Sequence, residues 1–338
     1  MNGQNSDRDP VPPVSEGVDR PLWSVMIPTY NCARFLRETL TSVLVQDPGS
    51  DIMQIEVIDD CSQDEPEKVV EEVAGSRVKF YRQPHNVGHT KNFQTCLERS
   101  RGKLIHLLHG DDCVREGFYR KMQQAFEQNS EIGAAFCRWM FIDENSHWQS
   151  ITAMERPESG ILSNWLERLA QMQTISTPSI VVRREVYEKL GGFDHRLAWV
   201  EDWEMWMRVA AHYPMWYEVE PLALYRVRAN SNTGRYKRTG ENIKDLRKAI
   251  PIVHSYLPEA KAKELGKKTR GNWAMIALFT ANQMLIEEND VDGAIAQIRE
   301  AIKCSQSFTV IKAALRLVVS VGVKKLQQTL QLKKVSIL

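Results

Sequence analysis

Four short apolar runs between Trp23 and Asp112, each separated from the next by an amphipathic helical segment, constrain this chain more than any other feature. The runs are SVMIP (24–28), IEVIDD (55–60), RVKFYR (77–82) and KLIHLLHGDD (103–112), with helical spacing in 33–46, 64–74 and from about Thr90 to Arg99. In the first helical segment Phe35, Leu36, Leu40, Val43 and Leu44 share one face. Strand and helix in strict alternation predict an α/β fold, a mainly parallel Rossmann-like sheet flanked by helices. In such sheets ligands collect outside the carboxyl ends of the strands, where the strand order switches. The first, second and fourth runs lead straight into polar clusters, Pro28 to Asn31, Asp59 to Ser62 and Gly110 to Asp112. Parallel strands bring these three clusters to one edge.

Beyond a helix in 114–128 and an apolar run at 132–141 the pattern loosens. Segments 178–183, 201–212 and 217–227 read as strand, helix and strand, with a loop at Gly191 to Asp194. From Tyr236 onward the reading is almost wholly helical. Segment 273–303 pairs two helices about a turn at Glu288 to Val291, faintly like one tetratricopeptide unit. A single unit has no neighbours to bury its faces, so an ordinary helical hairpin is the better account. The expected organisation is a disordered leader at 1–20, an α/β domain at 21–235 and a helical region at 236–338.

Charge divides along the same line. The formal net charge of +1 over 338 residues conceals −9 in residues 1–234 and +10 in residues 235–338. No acid follows Glu300, whereas Lys303, Lys312, Arg316, Lys324, Lys325, Lys333 and Lys334 do. Within 307–330 polar residues recur at helical spacing on an otherwise apolar helix. Such a helix suits an interface with anionic lipid through 303–334, or packs on the body with a solvated basic stripe. Nucleic acid is a poor partner for it, since no aromatic platform is interleaved. No run of about 18 uncharged apolar residues, the length of a spanning helix, is present. The leader lacks the apolar core of a secretory signal. Six scattered cysteines form no CxxC pair, which argues against a zinc site or a disulfide framework and fits a reducing cytosol. The expected location is cytoplasmic, peripheral at the inner face of the membrane.

The adjacent carboxylates Asp111 and Asp112 are poorly explained by packing, because like charges repel unless a cation lies between them. Mg²⁺ or Mn²⁺ takes such oxygen ligands, often together with substrate phosphates. The competing reading is an acidic turn capping the next helix. Asp59 and Asp60 repeat the pattern, with Ser62 or Asp64 available as the cap of the helix that follows. A carboxylate there can accept from base N–H groups or ribose hydroxyls, and Tyr30 can lie against a flat ring. Glu201 and Asp202 open a helix, where the macrodipole alone favours acids. With Trp199, Trp203 and Trp206 around it, a carboxylate in this turn could accept a proton from a bound hydroxyl, although Trp206 also reads as core.

In this order, SVMIPTYNCARFLRETLTSVLVQ, IEVIDDCSQD, HNVGHTKNFQTCLERSRGKLIHLLHGDD, VVRREVYEKLGGFDHRLAWVEDWEMWMRVA and EPLALYRVRANSNT resemble the family 2 glycosyltransferases of the GT-A fold. The resemblance spans roughly residues 23–234. It implies that Pro28, Tyr30 and Asp60 line a nucleotide base pocket, that Asp111 meets ribose or metal, and that Asp112 ligates Mg²⁺ or Mn²⁺. It also implies that Asp202 is the general base of an inverting transfer from a nucleotide-sugar donor to a glycan or lipid-linked acceptor, as in polysaccharide or cell-envelope glycan synthesis. Two positions depart from the family pattern. His109 stands where many relatives carry a first Asp, leaving the metal to Asp111, Asp112 and phosphate oxygens. Arg228 stands where many carry a histidine, and can pair with the diphosphate directly. Those departures motivate an alternative, a nucleotide-sugar binding protein without transfer activity; the helical hairpin motivates another, an interaction scaffold.

Overall fold

The structure is a computed structural model that describes residues 7–228 and 231–335, with side chains as far as Lys324 in the last helix. The chain forms two compact units. The first comprises Met1–Trp165, Thr174–Arg196 and Glu201–Val227; the second comprises Leu166–Gln173, Leu197–Val200 and Arg228–Leu338.

The first unit is built on strands β1 (Trp23–Thr29), β2 (Met53–Asp59), β3 (Lys79–Arg82), β4 (Leu104–Leu107), β5 (Cys113–Val114), β6 (Ala134–Ile142), β7 (Trp148–Ile151), β8 (Gly160–Ile161), β9 (Ile180–Arg183) and β10 (Met215–Arg226). Its main path runs β3-β2-β1-β4-β9-β6-β10-β5, with β7 on β6 and β8 on β10. The first four strands pair in parallel, as alternation predicts. β9 enters antiparallel between β4 and β6, and β10 returns parallel to β6. The sheet is thus mostly parallel and mixed, the GT-A arrangement.

Helices α1 (Ala33–Leu44), α2 (Pro66–Ala74), α3 (His89–Arg99) and α4 (Phe118–Gln128) follow successive strands, and α6 (Arg184–Leu190) and α7 (Glu201–His212) come after the short α5 (Trp165–Leu169). Leu36, Leu40 and Val43 of α1 share one buried core with residues of β1 and β2, whose seven residues each are buried throughout, and Phe35 is buried as well. Two-sided burial is why these strands read as unbroken apolar runs. The helix expected from residue 114 starts four residues later, because Cys113 and Val114 instead form the edge strand β5 against β10.

Residues 1–6 lie outside the described residues, but the next stretch of the expected leader is held. Arg8 pairs with Glu204 at 2.9 Å, Val11 is buried, and Arg184 donates to the Pro12 carbonyl at 2.8 Å. A buried guanidinium and an apolar anchor bind a segment whose composition is otherwise that of a tail.

The second unit contains α8 (Asn232–Thr239), α9 (Glu241–His254), α10 (Glu259–Gln283), α11 (Val291–Cys304) and α12 (Phe308–Val335). α10 and α11 form the expected hairpin, turning through Met284–Glu288 and a left-handed Asn289. Asp245 of α9 accepts from the N–H groups of Ala198, Trp199 and Val200, and the Ala170 carbonyl accepts from Thr269. Among the described residues no helix is long and apolar enough to cross a membrane.

Candidate active site

The three polar clusters meet by direct backbone bonds. Thr29 is level with Asp59 in the β1–β2 register; the Asp60 N–H donates to the Thr29 carbonyl at 2.9 Å, and the Gly110 N–H donates to the Pro28 carbonyl at 3.0 Å. Gly110 is demanded by this approach, since a Cβ there would lie 2.6 Å from Thr29 Oγ1 and 3.0 Å from Cys32 Sγ. The second cluster is also clipped to the first by side chains. Asn31 Oδ1 accepts from the Gln63 N–H, Ser62 Oγ from the Asn31 N–H, and Asp64 from the Ala33 N–H. Asp64 and Ser62 therefore serve the start of α1 rather than capping α2, which begins at Pro66 with no side-chain cap. Pro at the helix start has no N–H to satisfy, so the carboxylate is free for the neighbouring helix.

Pro28 is buried within β1, while Tyr30 at the strand end is 45% exposed. Asp59 takes Ser62 and the Arg82 guanidinium, the latter at 3.2 Å. Asp60 accepts from the N–H groups of Val87 and Gly88 at 2.7 and 3.0 Å. Burial lifts the Asp60 carboxyl above its usual range, against the pull of those two backbone donors.

His109, Asp111 and Asp112 converge: one ligand atom from each lies within 4.8 Å of the others. Asp112 is buried, with Oδ1 accepting from the Arg226 N–H at 2.8 Å and Oδ2 3.2 Å from His109 Nδ1. Neither Asp112 Oδ2 nor His109 Nε2 has a well-aligned hydrogen bond among the described residues. Burial raises the Asp112 carboxyl, opposed by the His109 ring. Burial works against a charged His109, yet the hydrogen bond and charge of Asp112, with Asp111 and Asp202 behind it, hold its pKa above the ordinary histidine value. Two carboxylates and an imidazole with poorly satisfied atoms fit a divalent cation taking oxygen and nitrogen ligands. His109, a departure from the family pattern, is thus part of the cluster.

Arg226 fixes this turn. Its buried guanidinium donates to the carbonyls of Asp111 and Asp143 and to Ser146 Oγ, and pairs with Glu38 at 2.6 Å. A buried cation with this many acceptors is a rigid strut. Its role is invisible in the sequence because its partners lie up to 188 residues away.

Asp202 sits in the first turn of α7, where Oδ1 accepts from the Trp203 N–H at 2.7 Å and Oδ2 from Thr177 at 3.5 Å. The turn is anchored by Glu201, which pairs with His89 Nε2 at 3.0 Å at the start of α3. From α3, Phe93 stacks on His109 with centroids 5.4 Å apart and meets Phe193 of the Gly191 to Asp194 loop at a tilt of 59°. Trp203 and Trp206 are buried core and wall no cleft; Trp199 belongs to the second unit, edge-on to Trp273. Arg228 opens the second unit's main segment, two residues past β10.

A mostly parallel sheet carrying acidic clusters at its carboxyl edge is the arrangement of the GT-A fold. The family model for glycosyl transferase family 2 matches residues 24–191. Over those residues the chain belongs to that family. It is 27% identical over 219 residues to an uncharacterised glycosyltransferase of Methanocaldococcus jannaschii, covering 64% of this chain and 74% of the relative. Its fold is similar to TarS 1–349 of S. aureus in complex with UDP-GlcNAc, with a TM-score of 0.64 at 14% identity over 89% of this chain and 88% of that one. It is also similar to the mannosyltransferase PcManGT of Pyrobaculum calidifontis in complex with GDP-Man and Mn²⁺, with a TM-score of 0.54 at 18% identity over 89% of each chain.

Proposed function

We propose that this glycosyltransferase is metal-dependent and inverting, and transfers a sugar from a nucleotide-sugar donor to a glycan or lipid-linked acceptor. The observation that carries the reading is the convergence of His109, Asp111 and Asp112 at the sheet edge. Asp111, Asp112 and His109 hold Mg²⁺ or Mn²⁺; the imidazole favours Mn²⁺ over the oxygen-seeking Mg²⁺. A cation held by these residues would supply the positive charge that offsets the departing nucleoside diphosphate. Pro28, Tyr30 and Asp60 receive the base and Arg228 the diphosphate. Asp202 takes the proton of the acceptor hydroxyl as that oxygen bonds to the anomeric carbon and the bond from this carbon to the diphosphate oxygen breaks. Attack opposite the leaving group inverts the centre.

The test is a panel of UDP-, GDP-, dTDP- and CDP-sugars with Mn²⁺, read by release of nucleoside diphosphate and by the anomeric configuration of the product. Asp202→Asn is expected to lower transfer by about 10²–10⁴-fold, the usual worth of a general base, while nucleotide binding persists. Unchanged turnover removes Asp202 from the role, and a retained configuration removes direct displacement.

The basic segment 303–334 supports peripheral attachment at the inner membrane face, where such an acceptor is presented. Along α12 Val310, Ala314, Leu317 and Val321 are buried, whereas Phe308, Leu315, Val318, Val319 and Val323 are exposed beside Lys312 and Arg316. An exposed apolar face flanked by cations matches an interfacial helix. Flotation with vesicles containing anionic lipid is expected; absence from the floating fraction overturns it.

A further inference from the structure

α9, α10 and α11 of the second unit enclose a cleft of about 350 Å³ lined by Lys244, Arg247, Lys248, Arg270, Lys303 and Glu300. Five cations face one carboxylate, and no apolar side chain contributes. Part of this charge is structural. Glu300 is buried and takes Arg247 at 2.8 Å and Lys303 at 2.8 Å, whose charges hold its pKa down against burial. The others are in excess. Among the described residues Lys244 pairs with the local Glu241 alone, at 3.0 Å, an exposed pair of little worth. Lys248 lies 3.6 Å from Asp245, whose other oxygen is committed to three backbone N–H groups. Arg270 has no carboxylate of the described residues within 4.0 Å and is anchored through its backbone, where its carbonyl accepts from Cys304.

Packing gives no reason for half-exposed cations of one sign to converge around a polar cleft, since they repel one another. A multivalent anion gives one. We infer that this cleft binds a phosphate-bearing ligand, a phosphomonoester or diphosphate, at a site sharing no residue with the carboxyl edge of the sheet. The guanidinium fork of Arg270 matches adjacent phosphoryl oxygens bidentately, with Lys244 and Lys248 acting as point charges. The absence of any lining aromatic ring leaves nothing for a base to stack on, which sets the ligand apart from single-stranded nucleic acid. The inference stands whether or not the transferase assignments of Asp202 and the metal hold.

The test titrates the full-length protein with inorganic pyrophosphate by calorimetry, in low salt with a chelator present. Arg270→Gln with Lys248→Gln is expected to weaken this binding at least tenfold and to leave UDP and GDP binding with Mn²⁺ unchanged. Arg270→Lys, which keeps charge but loses the fork, is expected to fall between. Should the double variant fail to fold, Lys244→Gln with Lys248→Gln, both half-exposed, carries the same expectation. Equal pyrophosphate affinity in wild type and a folded variant overturns the proposal, as does poly-glutamate binding as tightly as pyrophosphate. Vesicles of phosphatidylcholine with phosphatidic acid identify the source. Loss of vesicle binding in the variant points to a lipid phosphate; loss of pyrophosphate binding alone points to a soluble one.

Discussion

The ion pair between His89 and Glu201 connects the first turns of α3 and α7, and so bears on where Asp202 stands. Glu201 is buried, and His89 keeps 27% of its side chain exposed. Burial opposes both charges, but each stabilises the other: the histidine pKa is raised above 6.5 and the glutamate pKa lowered below 4.5. The raised histidine contributes stability in full below about 6.5, lost as pH rises through its folded value. The lowered glutamate contributes in full above about 4.5, lost as pH falls through its folded value. Urea unfolding should therefore show the pair's full contribution between these limits. His89→Gln should cost about 1–3 kcal/mol there, reduced from the usual cost of orphaning a buried charge because the ring is partly solvated, and should flatten the alkaline limb. An unchanged alkaline limb would assign that pH dependence elsewhere. Neither partner could be matched from sequence: Glu201 reads as an ordinary acid in a helix start, and its histidine lies 112 residues earlier.

At the scale of elements, strand alternation made the meeting of the three polar clusters legible, because parallel strands that begin together also end together. What stayed hidden depends on long-range fit. β5 and β8 have two residues each, too few for any period, and β9 is antiparallel although nothing local distinguishes it. The exchange by which Asp64 of the second cluster serves α1 of the first is equally nonlocal. Gly110 shows how tightly the elements are drawn together. Gly110→Ala forces the buried Thr29 and Cys32 aside, for which overpacking costs of about 1–3 kcal/mol are usual. Since Thr29 belongs to the first cluster and Cys32 follows it directly, both the urea midpoint and nucleotide affinity should fall. A variant as stable as wild type would show that the β1–β4 edge is looser than its hydrogen bonds imply.

At the scale of the whole chain, the change in charge near residue 235 was plain, but the partners of the helical region include segments that precede it. His254 Nε2 lies 3.1 Å from the Ala170 carbonyl, which also accepts from Thr269 at 2.9 Å; Lys261 pairs with Glu167 at 3.1 Å. Buried Asp245 depends on three N–H groups from residues 198–200. These short segments carry no periodicity that would mark them as parts of a helical unit. A fragment of residues 236–338 keeps α9 to α12 but leaves Asp245 without those donors and the buried His254 without its backbone acceptor, while Thr269 keeps the Leu265 carbonyl. Each unsatisfied buried group costs about 1–3 kcal/mol, and more where it is charged. Together these losses approach the whole stability of a small domain, about 5–15 kcal/mol. The fragment is expected to show helical circular dichroism and no cooperative urea transition, because local helix formation survives while the packing that makes it cooperative does not. A sharp transition would mean that the helices of the second unit suffice to fold it.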